Sequence, residues 1–287
     1  MRSEKRMDES TEVDRPTRLR QAVLYLVLVG GLLLTLLPFF WMLSTSFKES
    51  AAISAMPPQW LPRPGTLEHY RRLFAEVSFL RHFGNSAIVA VGATLLSLLV
   101  NALAGYAFAK FRFPGRERLF ALLLMTMMVP GQVTMMPVFM LLKELGLLNA
   151  YTGLILPGAA SVFAIFLIKQ FMETVPDELL EAARIDGCSE LGIFWRIVLP
   201  MSKPVLATVA LFTFMGAWNE FLWALIVMLD ESKYTLPVAL ANLSGQHNTD
   251  WGLLMAGSVI VILPVVLLFL ALQRFYVRGI TMSGPKG

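Results

Sequence analysis

The stretch "LYLVLVGGLLLTLLPFFW" at residues 24–41 carries no charged side chain over eighteen positions. A bilayer core of about 30 Å is crossed by about 20 apolar residues at roughly 1.5 Å of helical rise each. Five more runs of that kind follow. Together the six predicted spans are Ala22 to Leu43, Ser86 to Ala109, Leu119 to Leu142, Thr152 to Phe171, Pro204 to Leu229 and Leu254 to Leu272. Within lipid every backbone polar group must find a partner inside the protein, which leaves helices or closed barrels. A barrel would show short segments alternating in polarity, whereas these runs are apolar on both faces. The expectation is an all-α integral membrane fold of six transmembrane helices. The chain's 56% hydrophobic and 15% charged composition is far from soluble usage and agrees. The first run is longer than the apolar core of a secretory signal and continues into "STSFKES", so it is read as a span.

Orientation follows from where the basic residues fall. Of the 24 lysines and arginines, 17 lie in the N-terminal segment, the 110–118 loop, the 169–203 region and the C-terminal tail. Seven lie on the other side, five of them in the long 44–85 loop. Basic residues concentrate in cytoplasmic loops, so both termini are predicted to be cytoplasmic. The net charge of +4 is accordingly a matter of topology and does not point to nucleic acid. The expected divisions are a cytoplasmic N-terminal segment at 1–21, disordered through about Asp14, a transmembrane domain at 22–274, and a cytoplasmic tail at 275–287.

The longest internal loop, 172–202, holds "EAARIDGCSE" at 181–190. Pro176 suits a first-turn position, and Asp177 with Glu178 places negative charge at a helix N-terminus. Gly187 supplies a stop, and Ser189 can cap a second short helix from Glu190 to Leu199, ended by Pro200. Helix, glycine turn, helix is the predicted arrangement. An isolated "EAA" is weak, but here it sits in a longer array: Glu181-Ala182-Ala183, three residues, Gly187, nine residues, Ile197, one residue, Leu199-Pro200.

That array resembles the cytoplasmic loop of ABC importer permeases. The stretches "NSAIVAVGATLLSLLVNALAGYAFAKFRFPGR", "MVPGQVTMMPVFMLLKELGLLNAYTGLILP" and "WNEFLWALIVM" are similar to the carbohydrate-uptake branch, in particular to the shorter permease of maltose-type importers. So is the ending "QRFYVRGITMSGPKG". The resemblance implies a type I importer fold and a binding-protein-dependent transport component of a prokaryotic cytoplasmic membrane. It implies as partners a second homologous permease, two ATPase subunits, an extracytoplasmic solute-binding protein and a sugar substrate. Glu181, Ala182, Ala183, Asp186, Gly187, Ile197, Leu199 and Pro200 would form the ATPase-coupling element. Motion of the ATPase pair would then pass through Pro200 into the fifth span.

The sequence has no G-x-x-x-x-G-K-[ST] phosphate loop, so no cofactor is expected on this chain, and ATP and Mg belong to the partner ATPases. No catalytic constellation is read, and the chain is expected to be a non-catalytic transport subunit. His69, His82 and His247 are scattered over external segments and read as solvated or interfacial, with no metal-ligand spacing. Cys188, alone in the chain, forms no disulfide framework.

Polar residues inside spans are the pathway candidates. On a continuous fifth helix, Thr213, Gly216, Glu220 and Trp223 or Ala224 would share one face, with Asn219 beside them. Glu220 should avoid lipid and face a cavity or another subunit. One reading is a sugar pathway, and the other is an interhelical bond fixing packing against the partner. "VPGQV" at 129–133 brings Gln132 to membrane depth beside a proline kink, either lining the pathway or shaping the helix. Asn101 and Ser161 are weaker candidates. Residues 57–84 form an outer amphipathic segment that either docks the binding protein or packs over helix ends.

Two other classes remain open at this point. A secondary transporter would need its own ion relay, and Glu220 is the one clear carboxylate within a span. A membrane-embedded enzyme acting on lipid-linked sugars would need paired acids, a metal set or an activated nucleophile.

Overall fold

The computed structural model describes residues 18–76, 78–243 and 249–281. The predicted disorder through Asp14, His247 and the last six residues of the tail lie outside them. Among the described residues the chain is helical, with one isolated antiparallel bridge between Lys48 and Gly65. The order begins α1 (Arg18–Ser46), α2 (Ser50–Ile53), α3 (Glu68–Glu76), α4 (Phe79–Lys110), α5 (Arg116–Thr126), α6 (Gly131–Glu144), α7 (Tyr151–Ile155) and α8 (Val162–Glu173). It continues α9 (Asp177–Ile185), α10 (Glu190–Ile193), a π-helical turn Phe194–Val198, α11 (Leu199–Met201), α12 (Lys203–Asn219), α13 (Leu222–Val227), α14 (Leu236–Asn242) and α15 (Trp251–Thr281).

Three of the six predicted spans are single helices long and apolar enough to cross a bilayer: α1, α4 and α15. The other three are broken: the third divides where a proline kink is expected, and the fourth and fifth correct the expectation of continuous helices. The third divides into α5 and α6, bent by 98°. The fourth divides into α7 and α8, and the fifth into α12 and α13. Proline explains the first two breaks, because it lacks an N–H and drives the preceding residue out of the helical region. In both breaks a glycine follows the proline: Pro130-Gly131 and Pro157-Gly158. Pro38 and Pro264, with no glycine after them, sit inside α1 and α15.

Helix α4 is the centre of the bundle. It packs on α12 and α8 along its length and on α7 and α14 toward its N-terminal end, while α15 covers α12 and α3. Lipid tails give apolar helices no hydrophobic reason to associate, so close backbone approach matters. A Cβ at Gly105 would lie 2.6 Å from Ile168 Cγ2, and only glycine lets α4 and α8 come so near. Two buried clusters mark the ends of the bundle. One joins Tyr106, Ile168, Met172, Leu180, Phe194 and Val205; the other joins Leu73, Phe79, Trp218, Leu236 and Leu253. Helix α1 packs chiefly on α15 and leaves residues 20–40 exposed, an apolar surface suited to lipid or another subunit.

Candidate functional site

The 172–202 loop is a capped, interlocked unit. Pro176 holds extended backbone at φ −60° and ψ 132°, and α9 begins at Asp177. Its far end closes with Gly187 at φ +82°, a conformation glycine adopts without strain. The Gly187 N–H donates to Arg184 O at 3.0 Å and the Cys188 N–H to Ala183 O at 2.9 Å, the paired bonds of a Schellman termination. Ser189 Oγ then accepts from the Gly192 N–H at 3.2 Å and starts α10. Helix, glycine turn and capped helix thus stand where the spacing placed them.

The second helix differs from expectation. It is α-helical only over Glu190–Ile193, widens into the π turn, and resumes as Leu199–Met201. Pro200 does not end it. A proline deprives the preceding turn of one hydrogen bond, and the widened turn just before it absorbs that loss. The run stops at Ser202, where the chain bends by 80° into α12.

Of the predicted coupling residues, Ala183 is buried, Ile197 and Leu199 are half-buried, and Glu181, Ala182, Asp186, Gly187 and Pro200 are exposed. Large apolar side chains stand out beside them: Ile185 is 86% exposed, Leu191 65% and Trp195 52%. Underneath, the unit is held by polar bonds to the end of α4. Lys110 Nζ donates to Val175 O and to Asp177 Oδ1, each at 2.6 Å. Tyr106 Oη donates to Glu190 Oε2 at 3.1 Å, and Arg184 Nε donates to Glu190 Oε1 at 2.7 Å. The hydrogen bond from Lys110, reinforced by its charge, holds the Asp177 carboxyl below its ordinary range. The hydrogen bond from Arg184 does the same for Glu190, against a smaller opposing effect of burial. Neither Tyr106 nor Lys110 was singled out in the sequence; their spacing of four at the end of an apolar run was the available signal.

The fifth-span candidates are rearranged by the break. Asn219 ends α12, and Glu220 is extended at φ −66° and ψ 117°. Glu220 therefore does not continue the face that bears Thr213 and Gly216. Its Oε1 accepts from the Trp223 N–H at 2.9 Å, so the carboxylate caps the start of α13. The Trp223 indole N–H donates to Gly153 O at 3.2 Å, and Asn219 Nδ2 donates to Met215 O at 2.8 Å. Asn219 and Glu220 are exposed on the isolated chain. Gln132 is also exposed, in the first turn of α6, and no hydrogen bond among the described residues joins it to this group.

Asn101 and Ser161 come together. Asn101 is fully buried, and its Nδ2 donates to Ser97 O at 2.7 Å and Ala159 O at 3.1 Å. Its Oδ1 accepts from the Ser161 N–H at 2.9 Å, while Ser161 Oγ caps α8 by accepting from the Ala164 N–H. These two residues satisfy the backbone freed by the break between α7 and α8.

The N-terminal end of α4 carries a second polar knot. Asn85 Nδ2 donates to Ser232 O at 3.0 Å and Tyr234 O at 2.9 Å, and its Oδ1 accepts from Tyr151 Oη at 2.7 Å. Ser86 Oγ accepts from the Leu236 N–H at 2.7 Å. His82 Nδ1 lies 3.1 Å from Tyr234 O, and His69 Nε2 lies 2.8 Å from Lys48 O. Both rings are buried, which removes the solvated alternative of the solvated-or-interfacial reading: each serves a loop carbonyl at a junction of elements. The 57–84 segment includes α3, which packs over α15 and is tied by Arg72 to Asp250, the residue before that helix, at 2.9 Å.

Residues 101–282 match the family described as binding-protein-dependent transport system inner membrane component. The arabinooligosaccharides transport system permease protein of Halalkalibacterium halodurans is 40% identical over 227 residues, spanning 79% of this chain and 81% of that relative. The sn-glycerol-3-phosphate transport system permease protein of Yersinia enterocolitica is 34% identical over 274 residues, spanning 90% and 95%. A solved chain of a bacterial ABC transporter involved in the import of the acidic polysaccharide alginate superposes with a TM-score of 0.83 at 26% identity, covering 91% of this chain and 98% of that one. From the buried Asn101 through the interlocked 172–202 unit and the broken fifth span into α15, the chain belongs to the family of binding-protein-dependent transport inner membrane components.

Proposed function

We propose that this chain is one of two permease subunits of an ATP-driven importer that moves a sugar or related polyol across the cytoplasmic membrane of a prokaryote by alternating access. The observation that carries the reading is the 172–202 unit: pinned beneath by Lys110 and Tyr106, and presenting Ile185, Leu191 and Trp195 outward with Glu181 and Ala182. Exposed apolar side chains on a rigid element call for a protein partner. In this reading the partner is one of two ATPase subunits, which bind the ATP and Mg, and the unit lies on the cytoplasmic side with both termini. The chain crosses the membrane six times, the broken third, fourth and fifth spans included. The divisions at 1–21, 22–274 and 275–287 stand with that topology.

The polyhydroxylated cargo is supported by the relatives, whose names give arabinooligosaccharides and glycerol phosphate. Asn219, Glu220, Trp223 and Gln132 would be this chain's contribution to the lining of a pathway, with the second permease supplying the facing wall and a solute-binding protein delivering the cargo outside. A secondary transporter is less well supported, because the Glu220 carboxylate already serves as a helix cap.

The test is copurification of the tagged chain with an ATPase, followed by uptake in proteoliposomes with the binding protein. ATP-dependent uptake is expected. Uptake driven by an ion gradient without ATP would sink the proposal.

A further inference from the structure

The 172–202 unit is joined to the bundle covalently at both ends, by α8 and by α12, and noncovalently by α4. The link from α8 passes through a short turn at 174–176, and the link to α12 passes Ser202, where the chain turns by 80° between two helix ends. The noncovalent one runs into α4, and it grips both halves of the unit. Lys110 holds the start of α9 through Asp177 and Val175 O. Tyr106, one turn earlier on the same face of α4, holds α10 through Glu190, which is also bound by Arg184 of α9. Aromatic packing reinforces the joint: the Tyr106 ring lies 5.3 Å from that of Phe111 and 5.4 Å from that of Phe194. Near its other end, α4 holds the 232–236 segment through Asn85, Ser86 and His82.

Helix α4, which carries both joints near its ends, is unbroken over 32 residues with no internal proline. At about 1.5 Å per residue it is roughly 48 Å long, enough to cross the bilayer. Helices α1 and α15 are of similar length, but each contains a proline, and among the described residues neither contributes to the buried cluster that seats the unit, which α8 and α12 share with α4.

We propose that α4 is the strut that carries movement of the coupling unit to the opposite face of the membrane, with Tyr106 and Lys110 as its positioning residues and Asn85 and Ser86 as its outer anchor. The proposal deepens the importer reading and rests on it. The fifth span then follows the strut through lateral packing, and Ser202 acts as a joint that need not be stiff.

The experiment uses the complete transporter in proteoliposomes, reading ATP hydrolysis and uptake in parallel. In a Tyr106→Phe, Lys110→Met double variant, the ATPase still copurifies and hydrolyses ATP, but uptake per ATP falls about tenfold, as loss of a charge-assisted bond predicts. Lys110→Arg keeps a donor to Asp177 and retains most of the coupling. Ser202→Gly, which frees the bend into α12, keeps the coupling ratio of the unaltered chain. A double variant that couples normally, or a Ser202→Gly chain that hydrolyses ATP without uptake, overturns the strut. Failure of the unaltered chain to copurify with any ATPase is a separate result that overturns the importer reading and the strut with it.

Discussion

Lys110 and Asp177 meet at 2.6 Å across 67 residues of sequence, joining the last residue of the central helix to the first residue of α9. The lysine side chain is nearly buried while the carboxylate is exposed. The pair has a defined pH signature. Asp177 is held below its ordinary value of 3.8, so the contact contributes stability above that value and loses it only as the pH falls through the lowered one. Glu190 shifts in the same direction, chiefly through Arg184. Protection of α9 amides in hydrogen exchange should therefore stay constant from neutral pH down to about 4 after correction for the intrinsic rate. In Asp177→Asn the acid-dependent loss below that range should shrink. Loss of protection already at pH 6 would contradict this ordering.

Gly187 stands at φ +82°, where a side chain is strained whatever room surrounds it. Gly187→Val should cost about 1–2 kcal/mol locally and undo the Schellman bonds to Ala183 and Arg184. The expected outcome is normal membrane insertion with uptake strongly reduced. Gly187→Asn, which tolerates the left-handed region better, should keep more of it. Equal uptake by the valine variant and the unaltered chain in reconstituted vesicles would show that the turn can be rebuilt.

Asn101 is the polar linchpin of the broken fourth span. Replacing it with leucine leaves Ala159 O and the Ser161 N–H without their partner in a buried place, at about 1–3 kcal/mol for each unpaired group. Asn101→Leu should lower the thermal midpoint of the detergent-purified chain, while Ser161→Ala, which removes only a helix cap, should lower it less. An unchanged midpoint in Asn101→Leu would mean that water or a neighbouring group satisfies the turn.

The six apolar runs and the helix-turn-helix of 172–202 were legible because each rests on local rules: run length, a capping serine and a glycine at positive φ. The breaks were legible only as the proline kink at 129–133. Hydropathy scores "VPGQV" and "WNEFLW" as continuous spans, since a break within a bundle changes composition hardly at all. The dipeptides Pro130-Gly131 and Pro157-Gly158, set against Pro38 and Pro264, held the missing clue for two of them. Nothing equivalent marks Glu220, whose break depends on a carboxylate finding the Trp223 N–H. Tyr106 escaped notice because an aromatic residue near a helix end is ordinary until its partner, 84 residues away, is placed beside it.

Glu220 separates its two possible roles by substitution. As a cap, it needs only an oxygen that accepts from the Trp223 N–H at 2.9 Å; as a pathway group, it also needs its charge to face the cargo. Glu220→Gln preserves the oxygen and removes the charge, whereas Glu220→Ala removes both. If capping dominates, the glutamine variant transports nearly normally and the alanine variant loses both uptake and about 1 kcal/mol of stability. If the charge contacts cargo, the glutamine variant keeps its thermal midpoint but its uptake shows a raised KM for the transported sugar. Trp223→Phe checks the same joint from the other side, because it deletes the indole donor to Gly153 O and keeps the backbone N–H that Glu220 accepts. Uptake and stability unchanged in all three variants would assign this break no role beyond turning the chain.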